Sequence, residues 1–555
     1  LVVEFYITAT DGLGNSRFWP APAIASADDA AQAGQEVNAL YQVDDTVYAG
    51  AQPLYKIIMT ETERAELAAI PSQSSNQGPN AQMNATFVSI DGTGTELRYL
   101  VGVRNRGHGS RTANPPNYRV NFRNDDPWKG VEGINLNTRQ VHTQNFGSRL
   151  AIQSGAAGYY SQPVQVRVNN ANLANQGSGM FGSYAANEVY APEWVKNHIP
   201  FDADGNIYKV VRDIRPPNFD YRGEDKTAYT NTYFKVTNTS EDDWTDVIAM
   251  LRVMGENSGD LFTVENIEQV VNLDQWLTHL AVMNIMANGE SGLNTGNNDD
   301  YYMYRGLVDP RFILLFHDFD QILGQPGSLA QNVDIFRSTC CPISGDSEGS
   351  WRAMARLLHS PEIEPLYYAK LQHLLDTTFS KPAFDRLLDQ TFGGYVPETT
   401  RDAISRWMDG RRVFVQSQLP AISPIPAPVI LVSGIPRSPT PQTSVSLTLS
   451  GDEITHYRYQ LNGGEFGAET SVSNPIAITG LPNGTNTLAV IGMNSAGVWQ
   501  TESNATVRQW VIKPSWPTVR LNEILANNRS ALNRGGTFPD AIELFNEGPA
   551  PVNLS

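Results

Sequence analysis

The sequence predicts an α+β fold in a chain of several domains, and three observations support this. The chain has 555 residues, more than one hydrophobic core usually organises. Segments with strand-like alternation come early, and segments with helical spacing of apolar residues come late. Beyond the proline-rich run at 421–428 the sequence shows strand and turn patterns only, so we expect that run to be an extended linker between two regions.

Composition excludes several classes of protein. With 40 basic and 58 acidic residues, the formal net charge of −18 would repel a phosphate backbone, so we expect no nucleic-acid partner. Hydrophobic residues make up 41% of the chain, which excludes global disorder. No apolar stretch approaches the ~18 residues of a membrane span. The two cysteines, Cys340 and Cys341, match no zinc-binding pattern and do not fix the compartment.

A basic, glycine-containing loop joins two predicted early strands, 95–103 and 118–122. Glycines let backbone N–H groups approach a phosphate, and arginine matches both its charge and its bidentate geometry. The loop is therefore a candidate phosphate site, although a hairpin loop with a solvated basic rim has the same composition. The candidate residues are Arg104, Arg106, Gly107, Gly109, Ser110 and Arg111.

The strongest local pattern is an apolar strand, 311–316, that leads into Asp318 and Asp320. Side chains two residues apart on a strand share one face, and paired carboxylates there suit a hard cation such as Mg²⁺. A second predicted strand, 301–304, is preceded by acids and amides, so a hairpin would gather the acidic side chains. The alternatives are a turn-capping carboxylate pair and a solvated acidic loop. The candidate cluster comprises Glu290, Asp300, Asp318 and Asp320.

Helical patterns lie between and after these strands. Asn272 is a capping residue with Gln275 three positions later, and apolar residues follow at helical spacing to 285. Further helices are predicted at 351–358, 367–375 and 402–418.

The region after the linker predicts a different architecture. Short strands at 444–449, 456–461 and 487–492, separated by glycine-containing turns, are typical of an antiparallel sandwich, and we assign 429–514 as an immunoglobulin-like domain. A further β unit begins at 515, and 1–25 reads as the end of a preceding β domain with its linker. We therefore expect the sequence to be a fragment of a longer protein.

Several short motifs, taken in order, resemble those of the CotH (spore coat protein H) kinase family of secreted atypical protein kinases. The resemblance spans residues 50–415 and rests on the ordered series rather than on any one motif. The segment 519–555 is similar to the start of a lamin-tail domain, a common neighbour of this family in large bacterial extracellular proteins. The carriers are Arg104-x-Arg106-Gly107-x-x-Ser110-Arg111, Tyr118-Arg119-x-x-Phe122, the segments 133–137 and 205–209, Gly182-Ser183-Tyr184 with Glu188, and Asp318-x-Asp320 followed by Gly324.

The resemblance implies a two-lobed, kinase-like domain over residues 26–420 that binds ATP with Mg²⁺ or Mn²⁺ and transfers the γ-phosphate to protein hydroxyls. It implies that Asp318 binds the metal ion, that Asp320 and Asp300 assist, and that Glu290 is the candidate base. It also implies an extracellular or cell-surface location in a bacterium, with other surface or extracellular proteins as partners. The sequence does not identify the protein substrate.

The same resemblance assigns residues to the nucleotide. The loop 104–111 would cover the phosphates, and Glu188 would orient a cationic partner. The sequence departs from the family pattern at 114–117, where the family usually has a lysine just before the aromatic residue. The candidates to replace this lysine are Arg111, Arg119 and Lys209, although an arginine fork is not equivalent to an ammonium group.

Two alternatives therefore stay open. One is a catalytically inactive CotH-like scaffold in a multidomain bacterial surface or adhesion protein. The other is an adhesion module that uses the same acidic residues to bind Ca²⁺.

Overall fold

The computed structural model describes residues 1–20, 37–70, 80–107, 110–111, 113–210, 219–295, 300–339, 352–420, 428–436, 438–495, 497–516, 519–526, 528, 532–546 and 551–554. Gly109, Cys340, Cys341 and most of the proline-rich run lie outside these residues. The chain divides into two compact units, Leu1–Pro420 and Ala421–Ser555. The first unit contains helices and strands and the second contains mainly strands, so the α+β prediction is confirmed.

The first unit contains a closed barrel of seven strands, ordered β5-β6-β7-β8-β9-β12-β10. Neighbouring strands are antiparallel except β10 and β5, which pair in parallel and close the ring. Closure leaves the seven strands without a free edge between them. The strands up to this point of the chain are β1 (Val2–Phe5), β2 (Ile7–Thr10), β3 (Ser16–Trp19), β4 (Ala39–Gln42), β5 (Leu54–Ile58), β6 (Met83–Asp91), β7 (Gly94–Asn105), β8 (Tyr118–Asn121), β9 (Gly133–Asn137), β10 (Ser161–Val168), β11 (Ala171–Asn172) and β12 (Tyr184–Asn187).

Alternation along the barrel strands separates an apolar interior from a polar outer face. Val103, Val120 and Leu136 are fully buried in the barrel core. Arg104 and Arg119, one residue away from the first two, point outward, and they are directly opposite each other on β7 and β8. The outer face of β7, β8 and β9 therefore carries the basic and amide side chains.

A four-stranded antiparallel sheet follows the barrel in the chain, with the order β14-β13-β15-β16. Its strands are β13 (Asn206–Val210), β14 (Tyr233–Lys235), β15 (Tyr301–Arg305) and β16 (Ile313–Leu315). The β15–β16 pair is the hairpin that the sequence predicts, with Tyr302 opposite Leu315.

Helices that follow the first barrel strands supply most of the apolar core around this sheet, whereas Leu67 of the first helix packs in the barrel core. The predicted helices at 273–285, 351–358, 367–375 and 402–418 are confirmed to within a few residues at each end. Two helices interrupt the early strands, so the expected order of early strands and late helices is only approximate. The helices are α1 (Glu61–Ala69), α2 (Val141–Gln153), α3 (Pro192–His198), α4 (Thr245–Met254), α5 (Val264–Val270), α6 (Leu273–Ile285), α7 (Gly292–Thr295), α8 (Arg352–Leu358), α9 (Glu364–Asp376), α10 (Lys381–Phe392) and α11 (Glu398–Gln418).

The second unit contains a three-stranded sheet, β17-β18-β21, and a four-stranded sheet, β20-β19-β22-β23. Leu447 from the first sheet and Tyr457 and Val490 from the second belong to one buried cluster. The predicted strands are confirmed, whereas the immunoglobulin-like and lamin-tail assignments stay predictions. The strands are β17 (Leu431–Ser433), β18 (Val445–Ser450), β19 (Ile454–Leu461), β20 (Thr470–Ser471), β21 (Ile476–Ile478), β22 (Gly484–Asn494), β23 (Thr506–Ile512), β24 (Val519–Leu525) and β25 (Ala541–Asn546).

None of the helices in the described part of the chain combines the length and the apolar character that crossing a membrane requires.

Candidate functional site

Three carboxylates of the first unit lie close together. Glu290, Asp318 and Asp320 each offer an oxygen atom, and these atoms lie within 4.8 Å of one another. Glu290 follows helix α6, and the two aspartates follow strand β16. The sequence predicts that a hairpin gathers four acidic side chains. This prediction is confirmed for three of the four.

The two aspartates meet through a turn and not, as the sequence predicts, through a shared strand face. Strand β16 ends at Leu315, so Asp318 and Asp320 lie in the loop beyond it and do not share a strand face. Asp318 adopts a left-handed backbone conformation, with φ of 49°, and this turn brings the two carboxylates together. Asp300 does not belong to the group of three, and its Oδ1 lies 3.8 Å from Nδ1 of His317.

Asn288 fixes the loops that carry the acids. Its Nδ2 donates a hydrogen bond to the carbonyl of Asp318 at 3.2 Å, and its Oδ1 accepts one from the backbone N–H of Glu290 at 2.8 Å. Gln321 adds a second tie, because its side chain donates to the Glu290 carboxylate. The two loops are thus held to each other by side-chain amides before any ligand binds.

Helix α2 packs directly against the aspartate loop. A Cβ atom on Gly147 would overlap the side chains of Phe319 and Ile322, so only glycine permits this approach. Phe319 lies between the two aspartates in sequence and is fully buried. The position of the carboxylates therefore depends on the packing of α2.

Burial disfavours the charged forms of the aspartates. It raises the pKa of Asp318, and it also raises the pKa of Asp320, where the negative charges of Asp318 and Glu290 add to the effect. Oδ2 of Asp320 pairs with Nε of Arg139 at 3.2 Å, whereas Oδ1 is buried and has no hydrogen-bond partner among the described residues. A buried, unpaired carboxylate oxygen is costly unless a ligand completes its shell.

The acids share one cleft of about 850 Å³ with the outer face of the barrel. Arg104 on β7 lies directly opposite Arg119 on β8, which in turn lies opposite Asn135 on β9. Burial and the charges of Arg104 and Arg106 lower the pKa of Arg119 to about 10. The predicted residues that line the cleft are Arg104, Arg106, Gly107, Ser110, Arg111, Arg119, Lys209, Glu290, Asp300, Asp318 and Asp320.

The basic loop is held in place by its own side chains. Nε of the buried Arg111 donates to the carbonyl of Gly107 at 3.2 Å. Nδ2 of Asn117 donates to the carbonyl of Ser110 at 3.1 Å, and its Oδ1 accepts from Thr138. Gly107 has φ of 106°, and a Cβ there would overlap Ser110 Oγ. Gly109, the remaining predicted loop residue, lies outside the described residues.

Lys209 and Glu188 line one small cavity together with Arg106 and Asp318. Lys209 on β13 places its Nζ 5.9 Å from the ring centroid of Tyr302, and it lines the cleft with Asp318. The Glu188 carboxylate accepts from the backbone N–H of Tyr160 at 2.8 Å and lies 2.9 Å from Nε2 of His198. Glu188 thus pairs with a histidine, and its role in orienting a cationic partner stays a prediction.

Sequence reasoning missed Arg139 and the amides beneath it. Arg139 lines the cleft and pairs with Asp320, and Asn137 accepts a hydrogen bond from Arg106. The signal for Asn137 was present, because asparagine alternates with apolar residues in 133–137. Arg139 follows the strand in a turn, where no periodicity indicates its direction.

Comparison with protein families gives one result. A family model described as CotH kinase protein matches residues 103–408, more than half of the chain. The chain belongs to the CotH kinase protein family. The match begins within strand β7 and includes every cleft residue named above from Arg104 to Asp320. No curated protein shows a significant match to the sequence.

Proposed function

We propose that the CotH domain binds ATP together with Mg²⁺ or Mn²⁺ and transfers the γ-phosphate to hydroxyl groups of a protein. The observation that carries this proposal is the pairing of opposite charges across one cleft. A wall of arginines faces a cluster of carboxylates, the arrangement that phosphates and their bridging cation require.

The donor set suits a hard divalent cation. Asp318 and Asp320 offer carboxylate oxygens only, which Mg²⁺ and Mn²⁺ prefer over nitrogen or sulfur. The unpaired Oδ1 of Asp320 is an oxygen that such an ion would satisfy. When bound, the cation would neutralise phosphate charge in the transition state.

The barrel wall suits phosphate. Two like charges directly opposite each other on neighbouring strands destabilise a sheet, and Arg104 and Arg119 are such a pair. An anion between them removes the repulsion, and arginine forks bind phosphate oxygens in pairs. Arg106 continues this wall towards Asp318, whose pKa its positive charge lowers against the effect of burial.

Lys209 is our candidate for the ammonium group that the segment 114–117 lacks. Among the described residues that line the cleft it is the one lysine, and it lies on β13 rather than on the barrel. Arg111 is committed to the loop through its bond to Gly107. In this arrangement Glu290 would accept the proton of the substrate hydroxyl, with Gln321 orienting its carboxylate.

A second candidate function is a catalytically inactive scaffold in a multidomain bacterial surface protein. The observation that favours it is the structural use of Asn117, which fixes the loop at the point where the family has its lysine. In both cases we propose an extracellular or cell-surface location, with the immunoglobulin-like and lamin-tail segments presenting or anchoring the domain to other surface proteins.

Thermal unfolding with and without ligands tests these functions. We expect ATP with Mn²⁺ to raise the melting temperature of the parent protein and to have no effect on Asp318→Ala. Asp309→Ala is the matched control, because Asp309 pairs with Arg311 outside the cleft. A parent protein without any nucleotide-dependent shift would contradict ATP binding, and stabilisation by Ca²⁺ alone would favour the adhesion module.

Transfer of labelled γ-phosphate separates the kinase from the scaffold. We expect label to enter the protein itself or a generic acceptor protein such as casein, and to be lost in Asp318→Ala. Nucleotide binding without incorporation would support the inactive scaffold.

A further inference from the structure

A buried glutamine lies beneath the arginine side of the cleft. Gln144 on helix α2 is 1% exposed. Its Oε1 accepts hydrogen bonds from Nδ2 of Asn137 and from Nδ2 of Asn187, both at 2.8 Å. Its Nε2 donates to the carbonyl of Arg139 at 2.6 Å. The side-chain oxygen thus accepts two hydrogen bonds and the side-chain nitrogen donates one.

Two of these three bonds lead to arginines that face the aspartates. Asn137 links Gln144 to Arg106, because the Oδ1 of Asn137 accepts a hydrogen bond from Arg106. Arg106 lines a small cavity together with Asp318. The carbonyl bond fixes the backbone of Arg139, whose Nε pairs with Asp320. One side chain thus sets the position of both cations.

We propose that Gln144 is a positioning residue that holds Arg106 and Arg139 against the aspartate pair. The functional part of this inference rests on the proposed nucleotide site, since Arg106 and Arg139 would meet the phosphates and the metal-bound carboxylates there. The structural part does not depend on it.

The chemistry of the amide explains why glutamine occupies this position. The site needs an oxygen that accepts from two amides and, on the same side chain, a nitrogen that donates to a carbonyl. Glutamate supplies the oxygen without the donor, and leucine supplies neither. The three amide side chains, Gln144, Asn137 and Asn187, are buried, so each bond lost between them leaves a polar group without water to replace its partner.

Gln144→Leu is the first variant, and calorimetric titration with ATP and Mn²⁺ is the measurement. We expect nucleotide affinity to fall about tenfold, which corresponds to ~1.4 kcal/mol. Asn284→Leu is the matched control: Asn284 is also a buried amide that holds an arginine, Arg411, which lies outside the cleft. The control is expected to lose stability in urea and to keep its nucleotide affinity.

A double-mutant cycle distinguishes positioning from general loss of stability. In a protein that already carries Arg106→Ala and Arg139→Ala, Gln144→Leu should change nucleotide affinity no further, because its targets are gone. An equal loss in both backgrounds would overturn the proposal.

Gln144→Glu keeps the network testable if the leucine variant does not fold. Glutamate retains the two amide bonds and loses the bond to the Arg139 carbonyl. The affinity loss of this variant should therefore vanish in an Arg139→Ala background and persist in an Arg106→Ala background. The same loss in both backgrounds would contradict the separation of the two arms.

Ligand-free crystal structures of the parent and of Gln144→Glu separate this inference from the proposed function. We expect the Arg139 guanidinium to leave Asp320 in the variant whether or not the protein binds nucleotide. An unchanged Arg139 would overturn the inference even for a parent protein that binds ATP, whereas a displaced Arg139 in a protein without nucleotide affinity would support the inference and contradict the proposed function.

Discussion

Nε of Arg139 lies 3.2 Å from Oδ2 of Asp320, while Oδ1 of the same carboxylate is buried without a hydrogen-bond partner among the described residues. The protein thus satisfies one half of this carboxylate. Leaving a buried acceptor unsatisfied costs about 1–3 kcal/mol. A ligand that binds Oδ1 would remove this cost. Binding of such a ligand is therefore expected to stabilise the fold.

Replacement of Asp320 is expected to separate stability from ligand binding. In Asp320→Asn we expect the free energy of unfolding without divalent cations to rise by about 1 kcal/mol. Burial, Asp318 and Glu290 raise the pKa of Asp320 above its unfolded value, so folding at neutral pH carries a cost that asparagine avoids. Stabilisation by Mn²⁺ should disappear in the same variant. Urea unfolding with and without Mn²⁺ measures both effects, and a variant that keeps the full response to Mn²⁺ would contradict the assignment.

Gly133 is expected to control Arg119. A Cβ at Gly133 would overlap the Arg119 guanidinium, so Gly133→Ala should displace it and weaken binding of ATP with Mn²⁺ about tenfold, or ~1.4 kcal/mol. Gly92→Ala is the control, because a Cβ there meets no atom within 4 Å. In an Arg119→Ala background the Gly133 substitution should have no further effect on calorimetric affinity, and a persisting loss would show that it acts elsewhere.

Local patterns predicted the parts of this site that depend on neighbouring residues. The cap at Asn272, where its Oδ1 accepts from the N–H of Gln275 at 3.1 Å, follows from residue type and spacing alone. The β15–β16 hairpin and the β7–β8 pair follow from alternation and a connecting loop. These elements form between residues close in the sequence. For this reason Glu290, Asp318 and Asp320 could be expected to lie close together.

The remaining parts depend on contacts between distant segments. The barrel closes because Gln165 on β10 pairs with Leu54 on β5. No local sequence pattern predicts a parallel pair between strands so far apart in the sequence. Helix α2 escaped prediction because polar residues such as Gln144 and Asn145 are buried alongside apolar ones, so the helix has no clear amphipathic period. Gln144 was missed for this reason.

His279 is expected to make the stability of the first unit depend on pH. It lies in helix α6, fully buried and without a hydrogen-bond partner among the described residues, and burial lowers its pKa to about 3. In the unfolded chain this histidine binds a proton near pH 6.5. The protein therefore keeps its full free energy of unfolding above that pH and loses part of it as the pH falls towards 3. At pH 5 the loss amounts to about 2 kcal/mol, at ~1.36 kcal/mol per pH unit.

Urea unfolding at pH 7 and pH 5 checks this expectation. His279→Leu should lose less stability between the two values than the parent protein, by the same amount. The control is His373→Leu, since His373 is exposed on helix α9. Equal losses in the parent and in His279→Leu would show that the histidine is not buried as a neutral group.

Two lysines on neighbouring strands allow a test of the ammonium assignment. Lys209 on β13 lines the cleft, whereas Lys235 on β14 donates to the carbonyl of Asp243 at 2.6 Å. We expect Lys209→Met to weaken ATP binding about tenfold, or ~1.4 kcal/mol, and Lys235→Met to leave it unchanged. Because an ammonium group acts on phosphate charge, binding of adenosine should be the same in the parent and in Lys209→Met. Calorimetric titration with both ligands measures this difference, and an equal loss for adenosine would mean that Lys209 shapes the cleft and does not bind phosphate.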